Sequence, residues 1–137
     1  MLIVDTGPLL ATADRADKDH AACRALLESD AGPLVTTAMV IAEAAYLIDR
    51  QLGPTAEAGL YTAITAGQLE VADLTSEDWA RIGELVTGYA DLRLGGTDAS
   101  VVAVAERYGA TRIATLNHRH FHVVRPRHTP AFTLLPG

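Results

Sequence analysis

One cysteine, one lysine and seven aromatic residues are all that 137 positions contain, and each scarcity excludes something. Cys23 has no partner for an internal bridge. That argues against a disulfide-stapled secreted scaffold and fits a reducing compartment; a small buried hydrophobe on a helix is its plain role. So few aromatics leave little for the stacking platforms of sequence-tolerant single-strand binders. Tyr46, Tyr61, Trp79 and Tyr89 stand at helical spacing among aliphatics, which points to core or dimer-interface packing. Long apolar runs are missing too. Leu2-Ile3-Val4 ends at Asp5, and nothing approaches the roughly 18 apolar residues of a membrane span. The expectation is a cytoplasmic protein with neither membrane segment nor signal peptide. Repeats, low-complexity stretches and linkers are also absent, so residues 1–137 are expected to form one domain.

Acid is lacking in one place only. After Glu106 there is no Asp or Glu, while Arg107, Arg112, Arg119, Arg125 and Arg127 follow. Residues 1–106 therefore carry all 17 acids against six basic residues, within a whole-chain charge of −6. A net negative protein is a poor nucleic-acid binder by charge alone. An acidic body with a basic tail suits either RNA phosphate or an acidic protein partner. Arginine's bidentate grip favours phosphate, although base composition of the genome explains the bias equally well.

What is present is an alternation of short β-branched runs with longer helical stretches. Strands are expected at Leu2–Val4, Pro33–Thr36, Leu69–Ala72, Arg112–Thr115 and Ala131–Leu135. Helices are expected at about Asp17–Ser29, Ala38–Gln51, Pro54–Ala66, from a Ser76 cap through Trp79 and Leu85, and from a Thr97 cap over Asp98–Tyr108. This alternation predicts parallel crossovers: an α/β fold, a three-layer α/β/α sandwich around a parallel five-stranded sheet.

Three carboxylates stand in unusual places. Asp5 lies at the carboxyl end of the first strand, the edge where open parallel sheets bind ligands; it also suits the turn Asp5-Thr6-Gly7-Pro8. Glu43 stands inside Met39-Val40-Ile41-Ala42-Glu43-Ala44-Ala45-Tyr46-Leu47-Ile48, apolar on every side, where a charge needs a counter-ion, a proton or a cation. A buried pair with an arginine is the alternative. Asp98 follows Gly95-Gly96-Thr97 at a helix start, where a negative charge is favourable in any case. Together they form a hard-oxygen donor set suited to Mg2+ or Mn2+, and phosphodiester hydrolysis is the natural chemistry of such a site.

The ordered set Leu2-Ile3-Val4-Asp5-Thr6, Val40-Ile41-Ala42-Glu43, Gly96-Thr97-Asp98-Ala99 and Ala114-Thr115-Leu116-Asn117-His118-Arg119-His120-Phe121 resembles the PIN domain. Within it, the VapC-type toxins of bacterial toxin–antitoxin pairs are most similar. The resemblance implies a Mg2+- or Mn2+-dependent endoribonuclease leaving a 5′-phosphate and a 3′-hydroxyl, homodimerisation, and inhibition by a small cognate antitoxin. It maps the catalytic and metal-binding acids onto Asp5, Glu43 and Asp98, with Thr6 as the accompanying hydroxyl. It also places Arg119 and His120 at the site's rim, against RNA or the antitoxin.

One departure stands out. Asn117 occupies the place of a common fourth aspartate, so a second metal should bind more weakly and one-metal turnover becomes plausible. Asp91 falls where relatives often carry an acid and is a secondary candidate ligand, or a solvated loop residue. His118, His120 and His122 would share one face of an extended segment, which raises zinc as a minor alternative. Two rival enzyme classes fail on residues. A haloacid-dehalogenase-like phosphatase needs an aspartate where Gly7 stands, and a receiver domain needs a late lysine, whereas the only lysine is Lys18. The remaining alternative is a PIN-like module that binds RNA or a partner without cutting.

Overall fold

The computed structural model describes residues 1–137. Leu2, Ile3 and Val4 of strand β1 (Leu2–Val4) are wholly buried. Successive strand residues face opposite sides of a sheet, so both faces of β1 must be covered. The cover is helical. In chain order the elements are β1, α1 (Thr6–Ala13), α2 (His20–Ser29), β2 (Leu34–Thr37), α3 (Ala38–Leu52), α4 (Pro54–Thr65) and β3 (Glu70–Ala72). They continue through α5 (Ser76–Gly88), α6 (Gly96–Tyr108), β4 (Arg112–Ala114), α7 (His118–Val123) and β5 (Thr133–Leu135).

The five strands are all parallel, in the order β3-β2-β1-β4-β5. Helices α1 to α4 pack against one another, α5 lies on α6, and α3 touches α6. Every residue from Ala99 to Ala105 of α6 is buried, so this helix is enclosed all round. Its small and β-branched side chains permit that close approach. The expected three-layer parallel architecture is what the chain adopts. No helix is long and apolar enough to cross a membrane.

Local departures have local causes. Helix α1 is absent from the expected elements because Gly7-Pro8 suggests a turn. Pro8 instead sits in the helix's first turn, where its missing N–H is not needed. Thr75, not Ser76, caps α5: its hydroxyl accepts from the Asp78 N–H (3.1 Å), and Asp78 accepts from the Thr75 N–H (3.0 Å). Helix α6 begins at Gly96 with Gly95 as its cap, which leaves Thr97 and Asp98 inside the first turn. Residues 118–123 are helical rather than extended, so His118, His120 and His122 do not share a face. His118 and His122 stack one turn apart, with ring centroids 6.0 Å apart, while His120 turns elsewhere. The zinc alternative loses its geometry.

Candidate active site

Strand order decides where a site can form. The chain runs outward from β1 to β2 and β3, then crosses to β4 on the other side of β1. A crevice opens at such a reversal, beyond the carboxyl ends of the two central strands. Asp5 is the first residue after β1 and Thr115 the first after β4. The Asp5 N–H donates to the Ala114 carbonyl (2.9 Å), which extends the ladder and fixes where the carboxylate stands.

Asp5 is 5% exposed. The buried Thr115 hydroxyl donates to its Oδ2 (2.8 Å) and accepts from the Asn117 N–H (2.9 Å), tying the end of β4 to the end of β1. Thr6, opening α1, donates its hydroxyl to Glu43 Oε2 (2.9 Å). Asp98 sits in the first turn of α6, and its Oδ2 meets Asn117 Nδ2 (3.2 Å) and His120 Nδ1 (2.8 Å). Asp5, Thr6, Glu43, Asp98 and Asn117 line one pocket of about 380 Å3 with Gly7 and Leu116. Gly7 belongs there sterically: a Cβ would lie 3.1 Å from the Leu116 Cβ.

The expected triad is therefore brought together, but not for the expected reason in one case. Glu43 is exposed, not buried. Val40, Ala44, Ala45 and Ile48 of α3 are buried in the core, with Met39 and Ile41 packed at its edge, while Ala42 and Tyr46 are exposed. An alanine-rich helix looks apolar on all sides in sequence because alanine is indifferent to which side is buried. What distinguishes Glu43 is its place in the pocket beside Thr6. Asp91 is not in the pocket; it is exposed on the 3-10 turn between α5 and α6. Arg119 is exposed on α7, two residues from Asn117. Thr115 has no role in the sequence reading, although its place one residue beyond a strand adjacent to β1 would have singled it out once the strand order was known.

The basic tail is also largely spent within the chain. Arg107 pairs with Asp78 (2.9 Å), Arg112 with Asp30 (2.7 Å) and Arg127 with Glu84 (2.7 Å). Arg112 holds the Asp30 carboxyl below the usual range. Arg119 and Arg125 alone of the five lack a carboxylate partner, and both lie on or just after α7. A separate cavity of about 1200 Å3 shares no residue with the acidic pocket; Leu27, Leu34, Ile48, Leu60, Ile64 and Leu69 help to line it.

Electrostatics of the pocket favour a cation. Burial pushes the Asp5 carboxyl up to about 6, and the charges of Asp98 and Glu43 add to this against the hydrogen bonds from Thr6 and Thr115. A pocket that resists its own negative charge at neutral pH fits a positive ligand. No three Asp, Glu, His or Cys side chains close tightly on one point. That suits Mg2+ or Mn2+, which keep several waters and need only one or two carboxylates. The donor set fits the implied group.

A parallel five-stranded sheet with an acidic pocket at its switch point defines a class, and residues 2–125 match the PIN domain. The chain belongs to the PIN-domain family. It is 37% identical to Ribonuclease VapC26 of Mycobacterium tuberculosis over 135 residues, 98% of this chain and all of the relative. Among solved structures it is similar to Mycobacterium tuberculosis VapC20, a toxin cleaving the sarcin–ricin loop, with TM-score 0.77 and 20% identity over 82% of this chain and 87% of that one. A toxin–antitoxin complex from Klebsiella pneumoniae follows, with TM-score 0.68 and 16% identity over 97% and 100%. VapBC2 from Rickettsia felis, bound to a promoter DNA fragment, has TM-score 0.66 and 18% identity over 97% and 96%. At these identities the structures speak for the fold.

Proposed function

We propose that this chain is an endoribonuclease that hydrolyses RNA phosphodiester bonds with Mg2+ or Mn2+, acting as the toxin of a toxin–antitoxin pair. The observation that carries the chemistry is the convergence of Asp5, Glu43 and Asp98 on one pocket at the switch point, with Asp5 disfavouring its own charge there. The full-length likeness to a ribonuclease of the VapC group supports RNA as substrate. The likeness to toxins solved with their antitoxins supports a small cognate antitoxin as partner.

A bound cation would supply charge stabilisation at the phosphoryl group and a more acidic water. Asp5 and Asp98 would hold it. Glu43, exposed to incoming water and oriented by the Thr6 hydroxyl, accepts the proton of the attacking water. Thr115 keeps Asp5 aimed into the pocket. Arg119 and Arg125 supply the positive charge that receives the RNA backbone. Tyr46 and Trp79, 64% and 53% exposed, do not pack in the core; of their two expected roles they support the homodimer interface.

The test is cleavage of structured RNAs by the purified chain, freed of partner, in EDTA, Mg2+ or Mn2+. Discrete, metal-dependent cleavage that disappears in Asp98→Asn is the expected result. A folded, Mn2+-binding protein that cuts no RNA would replace the enzyme reading with the silent binding module, which the amide at Asn117 favours.

A further inference from the structure

Residues Ala99 to Ala105 of α6 are all buried, and Ser100 alone among them has a polar side chain. Thr36 and Thr37, the last two residues of β2, are wholly buried as well. A hydroxyl withdrawn from water costs free energy unless it keeps its hydrogen bonds, so an apolar side chain would fill each position at less cost.

The hydroxyls are fully used, and in one direction. Ser100 Oγ lies 2.7 Å from the Thr97 carbonyl, which can only accept, so the Ser100 proton points there. Ser100 Oγ also lies 2.8 Å from Thr37 Oγ1, and Thr37 is therefore the donor of that pair. Thr37 in turn accepts from the Val40 N–H at 3.2 Å. One chain results: Val40 N–H to Thr37, Thr37 to Ser100, Ser100 to the Thr97 carbonyl. Hydroxyls linked in this way polarise and strengthen one another. Beside the chain, Thr36 donates to the Val4 carbonyl at 2.8 Å.

Two of these bonds have ordinary local explanations. A threonine caps a helix start, and a buried serine bonds the carbonyl three residues back. The bond between Thr37 and Ser100 has none: it spans 63 positions and joins the start of α3 to the first turn of α6. The two helices approach closely there, since a Cβ at Gly96 would lie 3.0 Å from the Met39 Cε. Every end of this network adjoins the acidic pocket. Thr97 immediately precedes Asp98, Val40 stands three residues before Glu43, and Val4 immediately precedes Asp5.

We infer that Thr37 and Ser100 are positioning residues, whose buried hydroxyl bridge fixes the spacing of Glu43 and Asp98 and thereby the pocket's grip on its cation. A small hard cation such as Mg2+ demands near-ideal ligand geometry, so a slight shift of α6 against α3 weakens that grip. The inference rests on the metal-binding reading of the pocket.

The experiment is calorimetric titration of Mn2+ into the whole protein without RNA, with Tm recorded in EDTA. Ser100→Ala should weaken Mn2+ binding roughly tenfold, as loss of an outer support of a metal ligand does, and lower Tm by about 4 °C. Ile82→Val, a core substitution in α5 of comparable effect on stability, should lower Tm and leave Mn2+ affinity unchanged. Thr37→Val should weaken Mn2+ binding as Ser100→Ala does, whereas Thr37→Ser, which keeps the hydroxyl, should bind like the wild type. The double variant Thr37→Val, Ser100→Ala should bind no worse than the weaker single one, because both substitutions break the same chain. Unchanged affinity in Ser100→Ala, an equal loss in Ile82→Val, or single effects that multiply in the double variant overturns the positioning role. Each leaves the ribonuclease reading, which wild-type cleavage tests, intact. Failure of the wild-type protein to bind Mn2+ overturns both.

Discussion

Replacing Asp5 by Asn should make the metal-free protein more stable, although it removes a residue at the centre of the site. A carboxyl moved from 3.8 to about 6 by folding carries a charged form that is disfavoured by about 3 kcal/mol in the native state. Because the folded value lies above the unfolded one, the native carboxyl holds its proton between about pH 4 and 6 while the unfolded one has lost it. Wild-type stability therefore falls as pH rises through that window, and the whole penalty is present above it. Asparagine removes the charge but has only one acceptor oxygen for the Thr115 hydroxyl and the Thr6 N–H, a loss of about 1 kcal/mol. The net gain near pH 8 is about 2 kcal/mol, or roughly 6 °C in Tm for a chain of this size. Near pH 4 most of the gain should be gone. Calorimetry of both proteins in EDTA at the two pH values measures this directly. A variant less stable near pH 8, or a difference independent of pH, would refute the electrostatic origin. Adding Mn2+ should then raise the wild-type Tm by more than it raises that of the variant.

Three further outcomes follow from the same geometry. Thr115→Val deletes the donor to Asp5 and the acceptor of the Asn117 N–H, so it should cost about 1–3 kcal/mol in urea unfolding and reduce cleavage in parallel. Replacing Arg119 and Arg125 together by Ala should leave Tm unchanged, weaken binding of an uncleavable RNA, and reduce the slope of log affinity against log salt by roughly 0.7 for each phosphate no longer neutralised; an unaltered slope would remove both from the RNA path. Phe121 is 1% exposed and packs edge-on to Phe132 with ring centroids 6.5 Å apart, so Phe121→Ala should cost about 3–5 kcal/mol and loosen α7. Denaturant midpoints check it.

Much of the fold is legible residue by residue. Leu2-Ile3-Val4 followed by Asp5 shows a buried strand with a polar end, and Gly53-Pro54 marks the junction between α3 and α4 where the structure has it. Helix α1 is hidden because Gly7-Pro8 has the same local signature whether the chain turns or begins a helix. Helix α7 is hidden because six residues with three histidines carry neither helical nor strand periodicity, and only Phe121 packing against the core decides the matter. In the site, Asp5 and Asp98 are recognisable from the strand end and helix start they occupy. Glu43 is found for a mistaken reason, since apolar neighbours in sequence do not imply buried surroundings.

Sequence alone determined the α/β class and singled out Asp5, Glu43 and Asp98, the three carboxylates that the fold gathers around one pocket. Those conclusions depend on local pattern and residue type, which the chain carries at every position. Tertiary structure alone decided that Thr115 holds Asp5, that Thr6 orients Glu43, that three of the five late arginines are consumed in ion pairs, and that His120 meets Asn117 and Asp98. Each of these joins residues far apart in sequence, such as the 110 positions between Asp5 and Thr115. Such pairings exist only after strand order and register have brought the carboxyl ends of β1 and β4 side by side.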